Sequence, residues 1–427
     1  MSAEAFHRAL GSFAADAELW KDFLRLCNLG GRLAGTASES AALEFARARL
    51  AAIDARGTRV DPVTYAGWRA GEAKLTLIEG NVELACKALL GSASTPADGV
   101  IAEVLDLGRG TSEQFEHNTR EIAGSIVLVR HEYPFSAGHI HRRRKYGWAL
   151  ERGAAGFIIA NPWPGSGTVS GSCGRAGQTG ISAVATDCES AARLAARGPR
   201  LPRVRLHVAG EDFQAQTGVA VLELPGRGSS WVALSAHLDG HDLAESALDN
   251  ASGVAVALAV ARTLAPHVAR LPRGLKVCLF SAEEWALAGS RAYLERMSDA
   301  ERSAIVLNVN LDTVAGDVRL TALTSEFPAL DAYVQRAAAS VGLTVGTYRS
   351  MMPNSDHFNF ARHGIPALRL VAGFERPESN VRHILTAADT RDKVAPGELR
   401  SAALLAGALA WHALNATEEE IAGLKNR

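Results

Sequence analysis

Three apolar runs in the second half of the chain each stop at an acidic or imidazole side chain, and no other feature limits the fold as much. Trp231-Val232-Ala233-Leu234-Ser235-Ala236 runs into His237, Leu275 to Phe280 stops just before Glu283-Glu284, and Ile305 to Leu311 runs into Asp312. An apolar helical stretch, Gly253 to Leu264, lies between the first two, with Ser252 as its candidate cap. Continuous apolar strands separated by helices are buried on both faces. They imply an α/β fold with a mainly parallel central sheet flanked by helices. In such sheets binding sites form beyond the carboxyl ends of the strands, which is where these polar residues fall.

At 427 residues the chain is long enough for two domains. Residues from about 5 to 57 read as helical. Ala41, Leu43, Phe45, Ala46, Leu50 and Ile53 recur near helical spacing after the loop Gly30 to Thr36, with Ser38 or Ser40 as the expected cap. From about 65 to 212 short β-rich runs alternate with Gly, Pro and Ser clusters. Ser125 to Arg130 and Gly156 to Ala160 read as strands, Lys145 to Arg152 as a short helix, and 165–180 as a Gly-rich loop. The expected organisation is residues 1–65 as the first part of a catalytic domain, 66–211 as an inserted β-rich domain, and 212–427 as the main catalytic part.

Lys and Arg number 45 against 46 Asp and Glu. That balance gives no general attraction to nucleic acid or to an anionic membrane. No basic and apolar leader is visible near Met1, and no apolar run reads as a bilayer span. Cys27, Cys86, Cys173, Cys188 and Cys278 are odd in number and scattered, so a reducing cytoplasm is the expected location. The oligomeric state is open, a homo-oligomer included.

The chemistry-bearing residues, in order, are His237 and Asp239, Asp249 in the phrase Asp249-Asn250-Ala251-Ser252-Gly253, Glu283-Glu284, Asp312 and His383. Imidazole nitrogens and carboxylate oxygens are zinc ligands, and two-metal hydrolases hold their ions about 3.5–4 Å apart. So close a pair of dications needs a bridging anion, and Asp249 is the candidate. His237, Asp249 and Asp312 are expected to hold one Zn2+ ion, and Asp249, Glu284 and His383 the second, although these ligand types accept other divalent metals too. Asp239 is assigned to orient the His237 imidazole. Glu283 is assigned as general base toward a water shared by the ions, then as proton carrier to the leaving amine.

Other residues have plainer readings. His357 starts a helix, His241 and Asp242 are loop residues, and His131, His139 and His141 with Arg142-Arg143-Arg144-Lys145 form a solvated face. The Gly-rich stretch lacks the ending of a phosphate loop. No nucleophile elbow or Cys–His pair is present, which disfavours covalent catalysis.

The words Ala236-His237-Leu238-Asp239, Leu248 to Gly253, Phe280 to Glu284, Asn310-Leu311-Asp312, Ser355 to Phe358 and Gly364 to Ala367 resemble those of the M28 family of zinc aminopeptidases. Gly31 to Thr36 is similar to that family's opening segment. Ala123 to Val129 and Gly153 to Ile159 resemble a protease-associated (PA) domain. The resemblance implies the zinc-exopeptidase fold and an aminopeptidase acting on peptides. Alternative readings are a dipeptidase or carboxypeptidase-like relative, a glutaminyl cyclase-like or other amide hydrolase of the same fold, or a receptor-like binding protein. One departure stands beside the last ligand. Arg382 replaces a tyrosine that donates to the oxyanion in some relatives, and Arg382 is the candidate for that role here.

Overall fold

A computed structural model describes residues 11–425 apart from 14, 119, 176–178 and 196–199. The helical reading of residues 5–10 and part of the Gly-rich loop therefore lie outside the described residues. The chain divides into two compact units. One comprises the residues up to Tyr65, Gln216–Ile384 and those from Asp389 on; the other comprises Ala66–Ala215 with Leu385–Ala388. The long strands Thr58–Leu77 and Arg203–Leu224 run through both divisions.

The first unit is built on the three apolar runs. Its sheet has the order Gly346–Tyr348, Leu320–Leu323, Ala367–Ala372, Ile305–Leu311, Trp231–His237, Gly274–Phe280 and the last part of Arg203–Leu224. The central four strands are parallel, and antiparallel pairing flanks them on both sides. Nearly every residue of the three runs is buried, because helices cover the sheet. The helix Ser252–Val268 packs against Pro396–Asn415 and Glu18–Asn28 as well as the strands beneath it. The segment Ala247–Val268 is long and apolar enough to cross a membrane, yet 72% of its apolar window is buried inside the protein, as in a core helix.

Two expected caps are corrected. The helix Ala37–Ala51 is capped by Thr36, whose side chain accepts the Glu39 amide, because the chain turns helical one residue after Thr36. Ser252 caps nothing. Its residue is already helical, and its hydroxyl donates back to the Leu248 carbonyl at 2.7 Å.

The second unit has four parallel strands, Val100–Asp106, Ile126–Arg130, Gly156–Ala160 and Ser182–Thr186, with antiparallel neighbours at both ends. Val127, Val129, Phe157, Ile159, Ala183 and Ala185 build its core with Tyr146 and Ala149 from the helix Arg142–Glu151. The solvated-face reading of the basic run is corrected at two positions. Lys145 is buried and donates to Glu132 and to the Arg130 carbonyl, while Arg142 is buried and donates to the Ser172 carbonyl. Helical spacing turns these two toward the core and leaves Arg144 exposed.

Candidate metal centre

Sheet register gathers the site. Phe280 lies beside His237, and Asn310 beside Ser235, so Asp312 comes level with His237 at the carboxyl edge. On the next strand Arg369 pairs with Asn310, and its guanidinium lies 2.9 Å from Asp312 Oδ2. Ser355 donates a short hydrogen bond to the same oxygen.

His237 Nδ1 donates to the Asp239 carbonyl at 2.9 Å, which leaves Nε2 as the lone-pair nitrogen of the neutral ring. Nε2 sits 3.0 Å from Asp249 Oδ1 and 3.5 Å from Asp312 Oδ1 without hydrogen-bond alignment to either. The Asp239 carboxylate lies beside the imidazole too, its Oδ1 3.8 Å from Nδ1. The backbone oxygen of Asp239 orients the imidazole, while its carboxylate accepts the amides of Glu283 at 3.0 Å and Glu284 at 3.2 Å. Asp239 thus ties the turn after one strand to the end of its neighbour. That turn is sharp, with left-handed φ at Ala282, Ala286 and Leu287.

His237, Glu283 and Asp312 each offer one ligand atom within 4.8 Å of the others, the one such trio among the described residues. Glu283, assigned as base alone, therefore stands at ligand range. Asp249, Glu284 and His383 are outside this trio. Glu284 is buried, and its Oε1 has no hydrogen-bond partner. His383 ends the short 3-10 turn Asn380–His383, half-buried, and accepts from Arg382 Nε at 3.4 Å. The exposed Arg382 also donates to the Glu378 carbonyl.

Asp249 is joined to Asn250 by a cis peptide bond. Asn250 donates to the Leu311 carbonyl and accepts from the amides of Gly253 and Thr313, which fastens the phrase to the Asp312 strand. A Cβ on Gly253 would come within 2.3 Å of both Asn250 Oδ1 and the Leu311 oxygen, so the position demands glycine.

The electrostatics call for a cation. Burial, with Glu284, Asp356 and Asp312 adding to it, pushes Glu283 well above the ordinary carboxylate range. Burial and the adjacent Asp249 push Glu284 up to about 8. Burial lifts Asp356 to about 7, against the pull of His237. Burial would lift Asp312 too, but Arg369 and His237 hold it below its usual value. Burial opposes a proton on His237, yet Asp312 and Glu283 outweigh it and raise that imidazole well above its ordinary value. Crowded carboxylates, an imidazole nitrogen between two of them whose proton a cation can replace, and an orphaned carboxylate oxygen fit a divalent metal.

Sequence reasoning passed over Arg369, Asp356 and Asp389, and left Ser355 and His241 without a role at the site. Ser355, Asp356 and Asp389 lay in phrases similar to the family's, but a phrase gives no role without the contacts; a lone Arg in a chain this size carries no signal until the register is known.

Residues 219–410 match the model of peptidase family M28, and residues 82–194 that of the PA domain. Carboxypeptidase Q of Bos taurus is 25% identical over 67% of this chain and 62% of its own length. The chain thus spans a little under two thirds of that relative. Aminopeptidase YwaD of Bacillus subtilis is 26% identical over 83% of this chain and 77% of its own. The structure described as BSAP, a zinc aminopeptidase from Bacillus subtilis, superposes with a TM-score of 0.73 at 22% identity, covering 94% of this chain and 95% of that one. That superposition bears out the α/β fold read from the strands.

Proposed function

We infer the function of this chain from its place in peptidase family M28, to which it belongs through residues 219–410, with a PA domain inserted ahead of them. The chain is a dinuclear zinc exopeptidase, most simply an aminopeptidase that removes residues from peptides. The observation that carries this reading is the convergence of His237 Nε2 with Asp249 and Asp312 beside Glu283, in a buried setting that leaves Glu284 Oε1 without a partner.

His237, Asp249 and Asp312 would hold one ion, and Asp249, Glu284 and His383 the other. Zinc, when bound, supplies Lewis-acid polarisation of a carbonyl and makes water acidic near neutrality. Glu283 accepts the proton of the attacking water and returns it to the departing amine nitrogen. Asp239 fixes the peptide units of Glu283 and Glu284, so both carboxylates enter from a rigid turn. Arg382, exposed and beside the proposed ligand His383, is the candidate donor to the carbonyl oxygen.

Charge favours the amino end of a substrate. Asp239, Asp249, Glu283, Glu284, Asp312 and Asp356 are all buried around the site. Arg369 stands beside only one of them, and so many carboxylates around one cleft suit an α-ammonium better than an α-carboxylate. A carboxypeptidase-like reading stands second, on the likeness to carboxypeptidase Q.

The test is Glu283→Gln, assayed on aminoacyl arylamides and on peptides with free and blocked N-termini. The expected result is a fall in kcat/KM of about 10²–10⁴-fold with zinc content unchanged, and no turnover of N-blocked peptides by the wild type. Unimpaired turnover by the variant would sink the base assignment. Cleavage of N-blocked peptides from the carboxyl end would move the reading to the second class.

A further inference from the structure

We propose that Asp389, steadied by His241, is a positioning residue that sets the direction of the Asp249 carboxylate and thereby the affinity of the second metal site. The proposal rests on the reading of Asp249 as the ligand shared by two ions.

Asp249 and Asn250 have non-helical backbone angles immediately before a helix, so hydrogen bonds on both sides must hold them. On the carboxyl side Asn250 does this, through Leu311, Gly253 and Thr313. On the amino side the task falls to Asp389. This carboxylate is fully buried. Its Oδ1 accepts the Leu248 amide at 2.7 Å, and its Oδ2 accepts the Asp249 amide at 3.3 Å. Two successive amides on two oxygens of one group fix the plane of the peptide entering Asp249. An asparagine would have to turn its NH2 toward one of those N–H groups.

His241 restrains Asp389 in turn. Its Nδ1 accepts the Leu243 amide at 3.2 Å, so the ring proton sits on Nε2, which faces Asp389 Oδ2 at 3.5 Å. The His241 backbone is itself held, by its amide donating to Ser246 Oγ and by close packing of its carbonyl on Gly31, where a Cβ would come within 1.9 Å. This buried imidazole on a fixed backbone thus packs against the Asp389 carboxylate, its Nε2 close to Oδ2 without hydrogen-bond alignment. Asp389 also follows the proposed ligand His383 by six residues. One short segment therefore brings a ligand of the second ion and the support of the ligand it shares with the first.

The experiment uses the full chain. Zinc is titrated into metal-free wild type, Asp389→Asn and His241→Leu against a competing chelator. Bound zinc is counted by mass spectrometry, and kcat/KM is measured in scarce and abundant zinc. In Asp389→Asn one ion is expected to stay at wild-type affinity and the other to weaken by about 10–100-fold, with activity lost in scarce zinc and restored in abundant zinc. His241→Leu shows the same pattern to a lesser degree and serves alone if Asp389→Asn does not fold, while His241→Gln, which keeps a donor toward Asp389, restores the second site. Both ions held at wild-type affinity in the folded variants would overturn the proposal. So would a loss of activity that zinc does not restore, which marks a merely structural role. A wild type that binds fewer than two ions or cleaves no peptide would instead overturn the functional reading beneath it.

Discussion

Asp312 has its two oxygens in opposite employment. Oδ2 is held by Arg369 and Ser355, and Oδ1 faces His237. Removing one partner of a buried ion pair costs about 3–5 kcal/mol, because the other charge stays buried without compensation. Arg369→Met should therefore destabilise the metal-free protein by that amount at pH 7. The sign of the pH dependence follows from the direction of the shift. Asp312 is held below its ordinary value of 3.8, so its stabilising contribution is present above that value and is lost as pH falls through the lower, folded one. Without Arg369 the carboxyl rises instead and takes up a proton in mild acid. Denaturation curves of variant and wild type should converge between pH 7 and pH 4, and a gap independent of pH would mean the pair is not its source. At this scale the ligand types were legible because each sits in a short phrase, three of them at or just beyond a strand end. The work of Asp239 was not, since it depends on which of its oxygens, main-chain or side-chain, meets which neighbour. Nor was that of Asp389, which contacts residues some 140 positions earlier.

The elements that shape the site are its loops, and Arg32 shows how one is fixed. It lies in a left-handed conformation, fully buried, and its guanidinium donates to the carbonyls of Leu26, Gly30, Leu238, Glu245 and Ser246. Three of these carbonyls bracket the loop from the His237 strand to the Asp249 phrase. A lysine places its donors at one point and cannot span them. Arg32→Lys should lower stability by more than about 3 kcal/mol, since several buried carbonyls lose their partners. Thermal melting checks this, and a Tm within a degree of wild type would show that water replaces the guanidinium without loss. The strands themselves were plain in the sequence. Ile305–Leu311 has the expected ends, and the other two runs differ by a residue. The caps were harder to read. Thr36, Ser38 and Ser40 all have the right chemistry, and only the point where the chain turns helical selects among them.

Among the described residues, each compact unit buries apolar side chains of its own, one set beneath the helix Ser252–Val268 and one around Phe157 and Val127. All the candidate ligands belong to the first unit. A ligand that binds only the folded form adds stability by mass action, about 2.7 kcal/mol at a free concentration 100-fold above its Kd. That gain goes to whichever cooperative unit must open for the ligand to leave, because units with their own cores open with their own free energies. Zinc should therefore slow amide exchange in Trp231–His237 and in Ala247–Ala251, whose opening breaks up the proposed ligand set. It should leave exchange in Ile126–Arg130 and Gly156–Ala160 unchanged, since those strands can open while the ligands stay in place. Hydrogen–deuterium exchange with and without zinc, read by mass spectrometry on peptides from each unit, makes the comparison within one sample. Equal protection in both units would mean that they open together, and protection confined to the second would remove zinc from the site altogether.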